Sequence, residues 1–518
     1  MTENITRKEF LRLATVATTY TALAGYPGRA SAQNAVPDSV PIAAGSPART
    51  LIQGADVLTM DTTLGERPAT DVLLDNGRIE AIGVGLPANG AEVIDARGMI
   101  LMPGMIDGHR HVWQSIGLGR LTKFHPGDYS ANYMLWKMAS VVAMEPEDHY
   151  IAELVGGLQA IDSGVTSILD YAHGQDTEPN AMAAARGLKD SGIAGWFAYQ
   201  LGISYAFQPG DTVSGTEAIQ AMFAIRSSEQ EWNTAALLQK ELFHDSSAPL
   251  QLALGPAMWA GNPISEFRDE WARIRSTGVG LLVAHLHKPF RPFPAGIMGH
   301  RDSGIPDLHE AGLLGPDYHV AHANRLTSEE LAMLRDTGGM IAATTMGEFP
   351  YMTQAHRGPS VHGRARAAGV PVGIGTDVPL ALPDDFFEHV RSSLWSHYLA
   401  EESRQIVRDY RSQDTLDFAT ALGAKAIRLG DETGSITVGK RADLVLLNTG
   451  RIGFGKMGGL ADRVVTFART SDIDSVWVAG QARKRHGEMI GVDWASLKTR
   501  LHEAQERVGR KVATVNWT

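Results

Sequence analysis

His109 and His111 stand two residues apart in the stretch PGMIDGHRHVWQ, directly after an apolar run. Residues i and i+2 of an extended chain project to the same side, so this spacing offers two imidazoles in one direction. Three more polar residues end apolar runs in the same way: His285 after GVGLLVA, His322 after YHVA, and Asp377 after VPVGIGT. An unpaired charge at the end of a buried strand is costly. Taken singly, each histidine reads equally well as a hydrogen-bonded core residue, and Asp377 as a helix cap. Their recurrence at four strand ends points instead to imidazoles and a carboxylate converging on one place. That donor set suits Zn2+, with Fe2+ or Mn2+ as alternatives. The chain has no cysteine, which excludes thiol nucleophiles, disulfides and every cysteine-ligated metal site.

The elements that must position these groups follow from the pattern around them. In the centre of the chain, helical stretches end at a glycine and short β-branched or apolar runs follow. Gly164 precedes VTSILD, Gly192 precedes IAGWFAY, Gly278 precedes VGLLVAH, Gly338-Gly339 precede MIAATT, and Gly369 precedes VPVGIGTD. Glycine just past a helix supplies the left-handed residue that lets the chain turn back into a strand. With the runs at Ile100–Met105, Leu250–Gly255 and Tyr318–His322 there are eight strands, and Thr327 with Glu330 forms a capping box. Alternating strands and helices with eight strands predict an α/β fold, a (β/α)8 barrel over 99–431. An open doubly wound sheet is the rival, but no Gly-rich phosphate loop follows the first strand.

Period-two alternation marks short antiparallel strands over 49–98, with a turn at Asp75-Asn76-Gly77, and again over 432–490. Neither set can bury a core alone, so they read as two halves of one small composite β-sandwich. Residues 491–518 read as a terminal helix and tail, mostly polar and open to packing on a second copy of the chain.

The 518 residues carry 47 Lys+Arg against 58 Asp+Glu, a formal charge of −11. That balance argues against a nucleic-acid or anionic-membrane partner and leaves a small-molecule substrate. No run reaches the 18 uninterrupted apolar residues of a membrane span. Residues 1–32 place Arg7-Lys8 before a weakly apolar middle and end on Ala30-Ser31-Ala32, the order of an export signal. Thr6–Leu11 resembles a twin-arginine box with lysine in place of its second arginine. Residues 33–48 follow as a Pro/Ala/Ser linker. The expectation is an exported protein, periplasmic or secreted.

In the order PGMIDGHRH, SGVTSILD, GPDYHVAHANRLTSEEL, GIGTD and LGDETGSITVGKRADLVLL, the chain resembles the amidohydrolase superfamily from about Thr50 to Met489. It is most similar to the branch that contains atrazine chlorohydrolase, guanine deaminase and S-adenosylhomocysteine deaminase. The resemblance implies His109, His111, His285 and Asp377 as ligands of one divalent metal. It also implies that His322 contacts the activated water or the substrate oxygen.

Two departures from the family pattern shape the expected chemistry. The deaminases carry a glutamate three residues after the fifth-strand histidine, where this chain has Lys288. A lysine takes over a glutamate's proton transfer only if burial strongly depresses its pKa. If His287 is the ligand in place of His285, the acid position falls on Phe290 and nothing is restored. Dinuclear members carry a bridging lysine on the fourth strand, and LQLALGPAMW has none. The expectation is therefore an amidohydrolase with one metal, cleaving a non-peptide carbon–nitrogen bond: an amide, carbamate, urea or cyclic amide. Asp377 would move the water's proton to the leaving nitrogen. Trp113, Gln114, His173, His287 and Lys288 are the candidates for substrate contacts, and His125 lies in a stretch that could cover the pocket. The alternatives are a hydrolytic deaminase or dehalogenase of a nitrogen heterocycle, and an inert barrel serving as a binding module.

Overall fold

The computed structural model describes residues 49–120, 133–222, 225–257, 264–286, 304–324, 326–349, 360–399, 408 and 410–518. The expected export signal and linker, and His125, His287 and Lys288, lie outside the described residues.

The first five strands are β1 (Thr50–Leu58), β2 (Glu66–Asp75), β3 (Arg78–Gly83), β4 (Glu92–Asp95) and β5 (Ile100–Pro103). The β2–β3 connection closes with Asp75 opposite Arg78, and Asn76 and Gly77 both have positive φ, 48° and 78°. These are the dihedral signs of a type I′ turn, which Asn-Gly favours because its twist matches that of the flanking strands. Four late strands complete the same sheet: β15 (Leu444–Leu447), β16 (Ile473–Val478), β17 (Gln481–Arg485) and β18 (Glu488–Met489). The order is β18-β17-β16-β15-β5-β1-β2-β3, with β4 beside β1. Antiparallel pairing of β5 with β15 joins the two ends of the chain. Ile52, Val57, Val72, Leu101, Leu444 and Trp477 form part of its buried core.

The barrel strands are β6 (Met105–Arg110), β7 (Val165–Ala172), β8 (Ala194–Gln200), β10 (Leu250–Gly255), β11 (Leu282–Leu286), β12 (Tyr318–His322), β13 (Met340–Ala343) and β14 (Val372–Ile374). All pair in parallel in that order. A short pair, β9 (Thr212–Val213) with β19 (Asn516–Trp517), lies outside both sheets.

The expected strand Ile100–Met105 is corrected. Its first four residues belong to the composite sheet, and the first barrel strand begins at Met105. The break falls at Gly104, where a Cβ would lie 2.0 Å from Thr166 Oγ1; only glycine lets the chain pass there from one sheet to the other. One consequence is that His109 sits within β6 rather than after it.

Helices cover the barrel as their end signals predict. Thr327 accepts from Glu330 N at the start of the helix Ser328–Thr337, and Gly338 ends it at φ 81°. Gly192, at φ 77°, does the same for Glu178–Ser191. The terminal helix Trp494–Val512 buries Leu497, Leu501, Ala504 and Val508, one stripe at helical spacing. That stripe packs on the chain's own helices Leu135–Ala143 and Pro146–Asp162. Arg500 bonds to Glu147 at 2.7 Å and Lys511 to Glu145 at 2.5 Å. Among the described residues, no helix is long and apolar enough to cross a membrane.

Candidate metal centre

The barrel closes where the site lies. Asp377 N donates to His109 O at 2.8 Å, and His111 N donates to Asp377 O at 2.9 Å. These two bonds join the end of β14 to β6. Gly375 makes that approach feasible: a Cβ there would sit 2.5 Å from His109 O and 2.6 Å from His109 N. Below the seam, buried Asp107 accepts from Thr376 N at 3.0 Å and from Thr376 Oγ1 at 2.7 Å, fixing the Gly-Thr-Asp turn. Asp377 and His322 both adopt left-handed backbone, φ 69° and 66°. Such conformations are uncommon for non-glycine residues and cluster at functional sites.

The side chains converge on this seam. His109 Nε2 and His111 Nε2 lie 3.3 and 3.4 Å from Asp377 Oδ1, and His285 Nε2 lies 3.3 Å from His111 Nε2. The His109 ring is 5.0 Å from that of His285 and 5.1 Å from that of His322, centroid to centroid. Three overlapping trios place their donor atoms within 4.8 Å of one another: His109, His111 and Asp377; His109, His285 and His322; His111, His173 and His285. Both ring nitrogens of His109 are buried without a hydrogen-bond partner, an expensive arrangement unless they face an ion. Imidazole and carboxylate donors in this number fit a divalent metal such as zinc.

Electrostatics prepares the set for a cation. Burial, with repulsion from neighbouring imidazoles, holds His109, His285 and His173 well below the usual histidine range, so all three are neutral at pH 7. Burial pushes Asp377 up, but the surrounding imidazoles outweigh it and hold the carboxylate well below its usual range.

Hydrogen bonds decide which nitrogen each ring offers. His111 Nδ1 lies 2.9 Å from the Tyr171 carbonyl; a carbonyl only accepts, so Nδ1 carries the proton and Nε2 keeps its lone pair. His173 is the reverse case. Trp113 Nε1–H donates to His173 Nδ1 at 3.0 Å, so the proton of the neutral ring sits on Nε2. His173 therefore presents a donor, although its ring lies 3.9 Å from that of His111. Distance alone would count it among the metal ligands; its tautomer counts against that.

Of the other expected contacts, Trp113 is fully buried and reaches the centre through His173. Gln114 is also buried, with its amide Nε2 donating to Tyr133 OH at 2.9 Å. Several neighbours escaped the sequence reading. Tyr171 packs its ring 4.2 Å from that of His109; its period-two spacing from His173 was the available signal. Lys137, buried, is pushed down to about 8 by burial, and its charge contributes to depressing His173. Thr344 Oγ1 and Glu348 Oε1 both lie 2.9 Å from His322 Nδ1. Glu348 stands one helical turn beyond the end of β13, where a rule based on strand ends does not look.

Comparison with known proteins agrees with this architecture. The model of the Amidohydrolase family matches residues 296–483. The 5'-deoxyadenosine deaminase of Methanosarcina mazei is 24% identical over 470 residues, 90% of this chain and 99% of the relative. The 5-methylthioadenosine/S-adenosylhomocysteine deaminase of Carboxydothermus hydrogenoformans is 25% identical over 448 residues, 86% of this chain and 94% of the relative. Among solved structures, a zinc-bound adenosine deaminase from Xanthomonas campestris superposes with a TM-score of 0.74 at 18% identity, covering 90% of this chain and 99% of its own. A zinc-bound atrazine chlorohydrolase from Arthrobacter aurescens gives 0.72 at 19%, covering 88% and 100%. At these identities the structural likeness speaks for the fold.

Proposed function

We propose, for a chain that belongs to the amidohydrolase superfamily, that it hydrolyses a non-peptide carbon–nitrogen bond of a small molecule. The observation that carries the reading is the convergence of His109, His111, His285 and Asp377 at the barrel seam, with the His109 and His285 rings neutral beside an ionised carboxylate. These four residues would hold one zinc ion. A divalent cation there supplies Lewis acidity, bringing the pKa of water to about 7 and polarising the bond under attack.

The remaining roles belong to the chain. Asp377 turns Oδ1 to His109 and His111, which leaves Oδ2 to take the proton of the attacking water and pass it to the leaving nitrogen. His322, held through Nδ1, has Nε2 for the water or the attacked oxygen. His173 Nε2–H is a neutral donor for a substrate carbonyl or ring nitrogen. This route requires no glutamate on the fifth strand and suits an amide, carbamate, urea or cyclic amide. His287 and Lys288 are carried as substrate contacts from the sequence.

A second reading, hydrolytic deamination of a nitrogen heterocycle, draws support from the relatives, which are 5'-deoxyadenosine and 5-methylthioadenosine/S-adenosylhomocysteine deaminases. Both readings are tested by incubating zinc-loaded protein with amides, carbamates, ureas, cyclic amides and aminated or halogenated heterocycles. Carboxylate and ammonia or halide are scored separately. Release of a carboxylate, or of an amine with bicarbonate from a carbamate or urea, supports the first reading; ammonia or halide from a heterocycle replaces it with the second. No turnover, together with less than one bound transition metal per chain, would leave an inert barrel.

A further inference from the structure

We infer that Glu348, seconded by Thr344, is a positioning residue that fixes which nitrogen His322 offers to the reaction. The inference rests on the reading of this site as hydrolytic and adds a residue that the strand-end pattern does not contain. β13 ends at Ala343 and the chain makes one helical turn, Thr345–Glu348. That turn carries the Glu348 carboxylate back to the mouth of β12. There Glu348 Oε1 lies 2.9 Å from His322 Nδ1 and Thr344 Oγ1 lies 2.9 Å from the same nitrogen. Thr344 Oγ1–H in turn donates to Glu348 Oε1 at 3.1 Å.

All three side chains are buried, Thr344 completely and Glu348 and His322 at 2% and 6% exposure. A carboxylate removed from water needs a charge-assisted hydrogen bond, and His322 Nδ1–H supplies one. With Thr344's own proton directed at Glu348, Thr344 Oγ1 also faces Nδ1 as an acceptor. Both contacts favour the tautomer with the proton on Nδ1, leaving the Nε2 lone pair as the ring atom for the water or substrate. The pattern is that of a carboxylate orienting a histidine from behind, here supplied by the seventh barrel strand to a residue on the sixth. The left-handed backbone of His322 gives the ring its direction, and Glu348, as acceptor, holds the ring proton on Nδ1.

The test uses zinc-loaded full-length protein labelled with 15N in histidine, with the His322 ring signals identified by their loss in His322→Gln. Wild type is expected to show His322 protonated at Nδ1 and bare at Nε2. Glu348→Met, similar in volume but without an acceptor, is expected to shift the ring toward the Nε2–H form. It should also lower kcat by about 10- to 100-fold, the range typical of a lost partner behind a functional histidine. KM and zinc content should stay near wild type. Glu348→Gln keeps an acceptor oxygen without the charge and is expected to restore the Nδ1–H pattern. If Glu348→Met does not fold, Thr344→Val gives the same reading at smaller amplitude. An unchanged His322 spectrum in Glu348→Met and Thr344→Val overturns the inference. A changed spectrum with undiminished kcat overturns its bearing on turnover. If wild-type protein hydrolyses none of the compounds offered, the proposed reaction falls, while the ring spectrum still decides whether Glu348 sets the tautomer.

Discussion

Gly375→Ala tests whether the closing seam sets the geometry of the site. A methyl at this position would lie 2.5 Å from His109 O, 2.6 Å from His109 N and 2.9 Å from His109 Cα. Ordinary contact begins near 3.4 Å, so the seam must open by about 0.9 Å, and the obstacle is backbone with no flexible side-chain end to swing aside. Asp377, two residues on, is tied to His109 and His111 by both of its backbone groups, so the opening carries the carboxylate away from the imidazoles. Overpacking of this size typically costs about 1–3 kcal/mol of stability. A displacement of about 1 Å at a reacting centre can lower turnover by about 100-fold. Gly347→Ala is the matched control: its methyl would lie 3.5 Å from Asp377 Oδ2, which is normal contact, and it should alter turnover only slightly. Melting temperature, zinc per chain and kcat would be measured for both variants. Gly375→Ala with zinc affinity and kcat equal to those of Gly347→Ala would refute the claim that the seam positions the ligands.

Two further outcomes follow from buried groups. His149, fully buried with neither ring nitrogen hydrogen-bonded, is pushed down to about 3 by burial. The unfolded chain, with an ordinary value of 6.5, binds that proton first, so this residue's contribution is intact above pH 6.5 and is lost as pH falls toward 3. At pH 5 the loss is about 2 kcal/mol. Relative to wild type, His149→Leu should therefore gain about that much between pH 7.5 and pH 5 in urea unfolding, and an identical difference at both pH values would count against burial as the cause. His109→Ala and Asp377→Asn should each abolish turnover and strip stoichiometric zinc from a chain that still melts cooperatively, because backbone groups hold the seam. Metal analysis showing full zinc occupancy in either variant would remove that residue from the ligand set.

The sequence exposes what is local. The Asn76-Gly77 hairpin, the capping box at Thr327 and the glycines that end helices each depend on a few neighbouring residues, and all appear where expected. The candidate ligands were equally legible, since each is an ionisable residue at the end of an apolar run. The break at Gly104 was not legible: ILMPGMI reads as one apolar run, and its division shows only in the pairing, Ile100–Pro103 with β15 and Met105 onward with β7. The same limit applies at the centre of the site. His111 takes its tautomer from Tyr171 and His173 takes its own from Trp113, each 60 residues distant along the chain, while His322 is set by Glu348, 26 residues away. A chain with the same histidines and different partners behind them would offer different nitrogens to the metal and the substrate. Residue types at strand ends therefore declare that chemistry is present, whereas the partners behind each ring decide which chemistry it is.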